Sequence, residues 1–304
     1  MYGGRVIDLR RLEALVALHR AGTVSAAAER LHYGQPTVSH HLRRLETETG
    51  SVLLQRVGRG VRLTPEGERL ARRGEEILGL LERAEAELAA STSLQSGRVR
   101  VAAFPSAAAT LVPAAVGILA ERHPGIDLEL AEAEPPEAAE MLRAGTADLA
   151  LTFRYPDQAD PDGLTSTTVL TDPLYLVTTD AVGREHRRPS GEPHLADYAE
   201  SRWITGCERC RSQLMTLCEA AGFTPRIAFA SDDYVAVQSL VASGLGVTLL
   251  PGLALQAHQR DDVRRSLVRG GERRVQVSSY GAPPRPAVVD AVAGALADAA
   301  RPQG

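Results

Sequence analysis

The chain of 304 residues is 44% hydrophobic and 24% charged, the balance of a soluble globular protein long enough for two or three domains with their own cores. No apolar run approaches the ~18 residues of a membrane span, and the opening M-Y-G-G-R-V-I-D-L-R-R-L-E has acidic residues where a signal peptide has its apolar region, so no membrane partner and a cytoplasmic location are expected. The net charge of −4 is unevenly spread: residues 1 to 64 hold ten Arg against five Asp and Glu, a balance of +5, which leaves −9 on the rest. A basic head on an acidic body points to nucleic acid as a partner of the first part alone.

Leu9, Leu12, Leu15, Val16 and Leu18 give a first helix with one apolar face, closed by Ala21 and Gly22, and Thr23 is placed to cap the next. From Ser25 to Glu46 the chain reads as two short helices joined by a tight turn. Ala26, Ala27 and Ala28 are small enough to admit another helix closely, His32, Tyr33 and Gly34 break the pattern, and Gln35 with Pro36 restart it. With Val38, Leu42 and Leu45 on the buried side, Pro36, His40 and Arg43 project opposite, flanked by Thr37, Ser39 and Arg44. Such a cationic, donor-rich face suits the major groove of double-stranded DNA. An ordinary amphipathic helix pair is the competing reading of this stretch alone.

Two short extended segments, Val52 to Arg56 and Gly60 to Leu63, read as a hairpin whose Arg56, Arg59 and Arg62 are placed for phosphates. Thr64, Pro65 and Glu66 start a long helix running to about Ala90. In it Leu70, Ile77 and Ala84 recur every seven residues, with Gly74, Leu81 and Leu88 four beyond each, a heptad seam suited to dimerisation. S-T-S-L-Q-S-G, residues 91 to 97, is a linker by composition.

Strands and helices then alternate. Val99 to Phe104, Ile126 to Leu130 and Asp148 to Phe153 read as strands around helices at Ala107 to Arg122 and Glu137 to Ala144. Further strands are read at Leu174 to Thr178, Trp203 to Gly206, Arg226 to Phe229, Val247 to Leu250 and Val275 to Ser279. Helices are read near Arg211 to Ala221, Tyr234 to Ala242 and Ala287 to Ala300. An open α/β sheet of this kind binds ligands beyond the carboxyl ends of its strands. That places Ser106, then Arg154 and Tyr155 beside Phe153, then Thr205 with Gly206 and Cys207, then Ser231 and Asp232, as candidates to hold a small molecule. Ser106 opens the helix after the first strand, where free N–H groups and a hydroxyl suit an anion.

The ordered motifs G-T-V-S-A-A-A-E-R-L, G-Q-P-T-V-S-H-H-L-R-R-L-E, L-L-Q-R and L-T-P-E-G, followed by H-P-G-I-D-L-E-L, G-T-A-D-L-A-L and V-A-S-G-L-G-V-T-L-L-P, make the chain resemble a LysR-type transcriptional regulator along nearly its whole length. Leu15, Val24 and Leu54 stand where that family usually has Phe, and Gly34 stands where it has Ser, removing a hydroxyl that caps the second helix of the pair or touches phosphate. The resemblance implies an α/β protein with an N-terminal winged helix-turn-helix over residues 1–64 and a dimerising linker helix and hinge over 65–96. It also implies a two-subdomain, periplasmic-binding-protein-like effector domain, with one subdomain over 97–168 and 271–304 and the other over 169–270. Further implications are dyad-symmetric promoter DNA, a small-molecule effector held by Ser106, Phe153, Thr205 and Ser231, a homodimer or homotetramer, and RNA polymerase as a further partner.

No G-x-S-x-G, phosphate loop or metal-ligand spacing is present, so neither enzymatic activity, a cofactor nor a metal is expected. C-E-R-C at 207 to 210, with Cys218 beyond, carries three readings: a redox pair with Arg209 and Arg211 lowering a thiol pKa, a zinc site that lacks a fourth ligand because no histidine is near in sequence, or small pocket and core residues of a reduced protein.

Overall fold

A computed structural model describes residues 7–57, 60–90, 97–156, 158, 163–186, 193–281 and 285–301. Contacts divide the chain into two compact units, residues 1–92 with 140–147, and residues 93–139 with 148–304.

The first unit begins with α1 (Leu9–Ala21), capped by the Asp8 side chain and ended by Gly22 in the left-handed region, followed by α2 (Val24–Arg30), capped by Thr23. α3 (Gln35–Thr49) starts at Gly34, which offers no side-chain cap, the loss expected from glycine at that position. Val38, Leu42 and Leu45 of α3 are buried among Leu15, Leu18, Ala27 and Ala28, so the sequence's apolar stripe is the one that closes the core. A wing follows, β1 (Leu54–Val57) paired antiparallel with β2 (Gly60–Leu63). Glu46 ties it down: its Oε1 accepts from the backbone N–H groups of Leu53 at 2.8 Å and Leu54 at 3.0 Å.

α4 (Pro65–Ala90) is started by Thr64, whose hydroxyl accepts from Gly67 N–H at 3.0 Å and donates to the Val52 carbonyl at 2.8 Å. The heptad reading of α4 needs correction at its first half. Gly74 does not face outward but packs within the unit, where a Cβ would come within 2.9 Å of both Leu12 and Val16, and Leu70 packs on the same core. Glycine lets α1 and α4 approach closely, and any larger residue would have to displace the Leu12 and Val16 side chains. Ile77, Leu81 and Ala84 are exposed, and Leu80 with them, so the apolar surface free for a partner begins a turn later. The side chain of Leu88, like Arg59 and the linker residues 91–96, lies outside the described residues.

Gly67 makes a second close approach: any Cβ there would strike the Leu53 carbonyl, which is backbone and cannot swing aside. Gly67→Ala is therefore expected to destabilise the first unit by about 3 kcal/mol or more. Urea titration followed by circular dichroism checks this, and a loss below about 0.5 kcal/mol, the range of an ordinary surface change, would count against the contact.

In the second unit β3 (Gly97–Ala103) pairs parallel with β4 (Ile126–Glu132) and β5 (Leu149–Arg154), while β6 (Leu164–Thr179) lies further along the sheet. β7 (Arg202–Thr205) pairs parallel with β8 (Arg226–Ala230) and β9 (Val247–Pro251). The full order is β4-β3-β5-β10-β6-β9-β7-β8, with β10 (Val263–Tyr280) antiparallel to both β5 and β6. Two α/β lobes thus share a pair of long crossing strands. The first lobe packs α6 (Leu111–Arg122) and the last helix, Ala287–Ala299, on one core with Val99, Leu149 and Val275. The second lobe has a core on each face, one around Trp203, Leu214 and Val247 and one around Ile204, Val237 and Val241.

Two expectations fall short here. The single helix expected from Ala107 is two, α5 (Pro105–Ala108) and α6, interrupted at Ala109 and Thr110, where the Thr110 hydroxyl turns back to the Ser106 carbonyl at 2.6 Å. The strands expected at Leu174 to Thr178 and Val275 to Ser279 are the ends of the 16-residue β6 and 18-residue β10. The positions 168 and 271, read as subdomain boundaries, lie within those two shared strands.

Candidate DNA-binding face and effector cleft

On α3, Gln35, Pro36, Thr37, His40, Arg43 and Arg44 are exposed, Ser39 is half-buried, and the wing's Arg56 and Arg62 are exposed. Among the described residues Arg43, Arg44, Arg56 and Arg62 make no ion pair, while Arg11 pairs with Glu48 and Arg20 with Glu75 elsewhere on the unit. The outer face of α3 and the wing thus present four exposed cations with no carboxylate partner among the described residues. Glu46, the acidic residue that follows them, is spent on the Leu53 and Leu54 N–H groups and leaves that face without a competing charge.

In the second unit the carboxyl ends of the strands open on a cavity of about 60 Å³, several times the ~10–15 Å³ that one water requires. Ser106, Phe153, Cys207, Ser231 and Asp232 line it, as expected from the sequence. Arg154, Tyr155 and Thr205 do not. Arg154 follows Phe153 on β5, points to the opposite face and donates from Nη1 to the Gln158 carbonyl at 2.8 Å. Tyr155 is buried edge-on against Phe153, 5.8 Å between ring centroids, with its hydroxyl 3.8 Å from Cys210 Sγ. Thr205 is 2% exposed, beneath the lining.

Sequence reasoning missed the residue at the centre of the cavity. Arg273, 2% exposed, donates from Nε to Asp172 Oδ2 at 2.9 Å and from Nη2 to Ser106 Oγ at 2.9 Å, with its guanidinium 4.4 Å from the Phe153 ring centroid and 4.8 Å from that of Phe104. Ser106 is therefore an acceptor for Arg273 on a four-residue helical turn, not the N-terminal residue of a long anion-binding helix. Asp172 Oδ1 also accepts from Leu253 N–H at 3.1 Å, so the buried charge is both paired and hydrogen-bonded.

Glu134, just beyond β4, completes the polar lining, and burial raises its carboxyl above the usual carboxylate range despite the pull of Arg273 and the Cys207 thiol. Arg209, expected beside the cysteines as a charge, is turned the other way: its Nη2 donates to the Phe153 carbonyl at 3.1 Å and to Gln158 Oε1. Arg273 takes its place as the nearby cation. Among the described residues no cluster of three His, Cys, Asp or Glu has metal-binding geometry, and no helix is long and apolar enough to cross a membrane.

Two family models match the chain: residues 9–68 match the bacterial regulatory helix-turn-helix protein model of the lysR family, and residues 92–301 match the LysR substrate binding domain. The chain is 29% identical over 276 residues to the HTH-type transcriptional regulator TfdS of Cupriavidus pinatubonensis, covering 90% of this chain and 91% of that protein. Among solved structures, a full-length OxyR variant from Pseudomonas aeruginosa has the same fold at a TM-score of 0.69 and 22% identity, covering 96% of this chain and 95% of the other. CbnR in complex with its target DNA matches at a TM-score of 0.64 and 22% identity, covering 96% and 99%. The chain belongs to the LysR family of transcriptional regulators. It is a DNA-binding regulator with an effector-sensing domain, not an enzyme.

Proposed function

We propose that this regulator reads a dyad-symmetric operator with Gln35, Pro36, Thr37, Ser39, His40, Arg43 and Arg44 in the major groove, while Arg56, Arg59 and Arg62 of the wing hold phosphates. The observation that carries this is the outer face of α3, whose cations are exposed and unpaired while its inner face is fully buried. The units of function are the winged helix-turn-helix at 1–64, the dimerising helix and hinge at 65–96, and the effector lobes at 97–168 with 271–304 and at 169–270. Self-association as a dimer or tetramer uses the exposed Ile77, Leu80 and Leu81 stripe on α4, and RNA polymerase is the partner through which promoter binding acts.

Ser106, Phe153, Cys207, Ser231 and Asp232, joined by Arg273 and Glu134, hold a small effector in the cleft. Two-fold protein symmetry requires half-sites centred about one helical turn apart, or a multiple of it, on one face of the duplex. Hydroxyl-radical footprinting of the purified chain on DNA upstream of its own gene should show paired protections in that phase. Protection of one unpaired site, or none, would overturn the dyad reading.

A further inference from the structure

The cleft contains a chemical group that reversible ligand binding does not require. Cys207 is the N-cap of a 13-residue helix, α9 (Glu208–Ala220), and Cys210 stands in its first turn, so both side chains reach the same side. Their sulfurs are 3.1 Å apart and both residues line the cavity. Around them lie the Tyr155 hydroxyl, 3.8 Å from Cys210 Sγ, and the buried Arg273 guanidinium. The third free cysteine, Cys218, is fully buried in the second lobe's core, away from the cavity.

The two thiols are unequal. The Cys207 S–H donates to Cys210, and this, followed by the charge of Arg273 and the Tyr155 hydrogen bond, holds the Cys210 thiol down to about 7 against the effect of burial. Cys207 is pushed up, because its proton is engaged by Cys210 and because it is buried. Burial pushes Cys218 up to about 12. Of the three thiols Cys210 is thus the one favoured to ionise, its neighbour keeps a proton within reach, and Cys218 is held protonated by burial.

We propose that Cys207 and Cys210 form an oxidisable dithiol inside the cleft, converted by a small hydroperoxide to a disulfide that changes DNA binding. The Cys210 thiolate attacks one peroxide oxygen, the O–O bond breaks, and Cys210 becomes a sulfenic acid as the departing alkoxide takes a proton from solvent. Cys207 sulfur then attacks Cys210 sulfur, and the displaced hydroxide leaves as water with the Cys207 proton. In sum, two thiols and one hydroperoxide give one disulfide, one alcohol and one water, and the sulfurs supply both electrons. A cavity of about 60 Å³ admits an oxidant of a few atoms. The sulfurs need to close by about 1 Å to reach the ~2.05 Å bond.

The thiol chemistry stands apart from the effector reading, and only its consequence for DNA rests on the regulator's function. The test treats the full chain with hydrogen peroxide, alkylates remaining thiols and maps the peptides by mass spectrometry. The expected result is a Cys207–Cys210 disulfide with Cys218 still alkylated, formed at a rate that rises as pH passes through about 7. In Cys207→Ser the reaction should stop at a dimedone-trappable sulfenic acid on Cys210. Oxidation should shift the affinity for upstream DNA by about fivefold or more, the lower end of usual allosteric coupling, and Cys210→Ser should remove that shift. Oxidation of all three cysteines at one rate, or no disulfide between the pair, overturns the dithiol. A disulfide that forms without changing DNA affinity overturns its signalling role and leaves the effector cleft assignment intact.

Discussion

Replacing His40 and Arg43 together by alanine is expected to abolish discrimination between operator and random DNA while leaving self-association unchanged. Both side chains are exposed on α3, opposite the fully buried Val38 and Leu45 and the 2% exposed Leu42, so truncating them opens no cavity in the domain. A base-edge contact contributes about 1–3 kcal/mol of discrimination, so losing two costs about 30-fold to 10⁴-fold in specific affinity. Non-specific binding is expected to persist, because Arg44 and the wing's Arg56 and Arg62 remain as exposed cations available to phosphates. Gel-shift titration on operator and scrambled duplexes, at several salt concentrations, measures this. If Arg43 touches phosphate rather than a base, affinity falls alike on every sequence and the salt slope drops by about one. Sedimentation of the double variant should match the parent protein, and retained sequence preference would refute the assignment.

This first prediction was accessible from sequence because everything that shapes α3 is local. Asp8, Thr23, Gly22 and Gly50 mark helix ends by their own chemistry, and Val38, Leu42 and Leu45 recur at helical spacing. The crossing strands were only half legible for the opposite reason. Residues 263 to 274 of β10 include five arginines and a Gly pair, and residues 164 to 173 of β6 are half Thr and Ser and end in Asp-Pro. Neither has strand alternation. Each is held extended by the other, in antiparallel register from Val263 opposite Thr179 to Tyr280 opposite Leu164, a pairing no local window contains. The cleft divides the same way. Phe153, Cys207 and Ser231 follow strands and were found by position, whereas Arg273 lies within a strand that read as a charged loop and acquires its role from Asp172, 101 residues away.

That pair carries the second large effect. Asp172 and Arg273 are cross-strand partners on β6 and β10, where the two lobes share backbone. Their side chains are 2% and 3% exposed, and each reaches on to a further element: Arg273 to Ser106 beyond β3, Asp172 to the Leu253 N–H at the start of α11 (Gly252–Ala257). Asp172→Asn keeps an oxygen for Leu253 but takes from the buried guanidinium its ion-paired carboxylate, which costs about 3–5 kcal/mol. For a domain of this size that corresponds to a fall in Tm of about 6–20 °C. Differential scanning calorimetry of the full chain reads it. Deleting both charges, as Asp172→Leu with Arg273→Met, is expected to be far less damaging than the single change, because no unpaired ion remains and a buried pair contributes little net stability over apolar residues of similar size. Should the double variant instead lose as much as Asp172→Asn, the pair's hydrogen bonds to Ser106 and Leu253, rather than its charge balance, hold the lobes at the crossing.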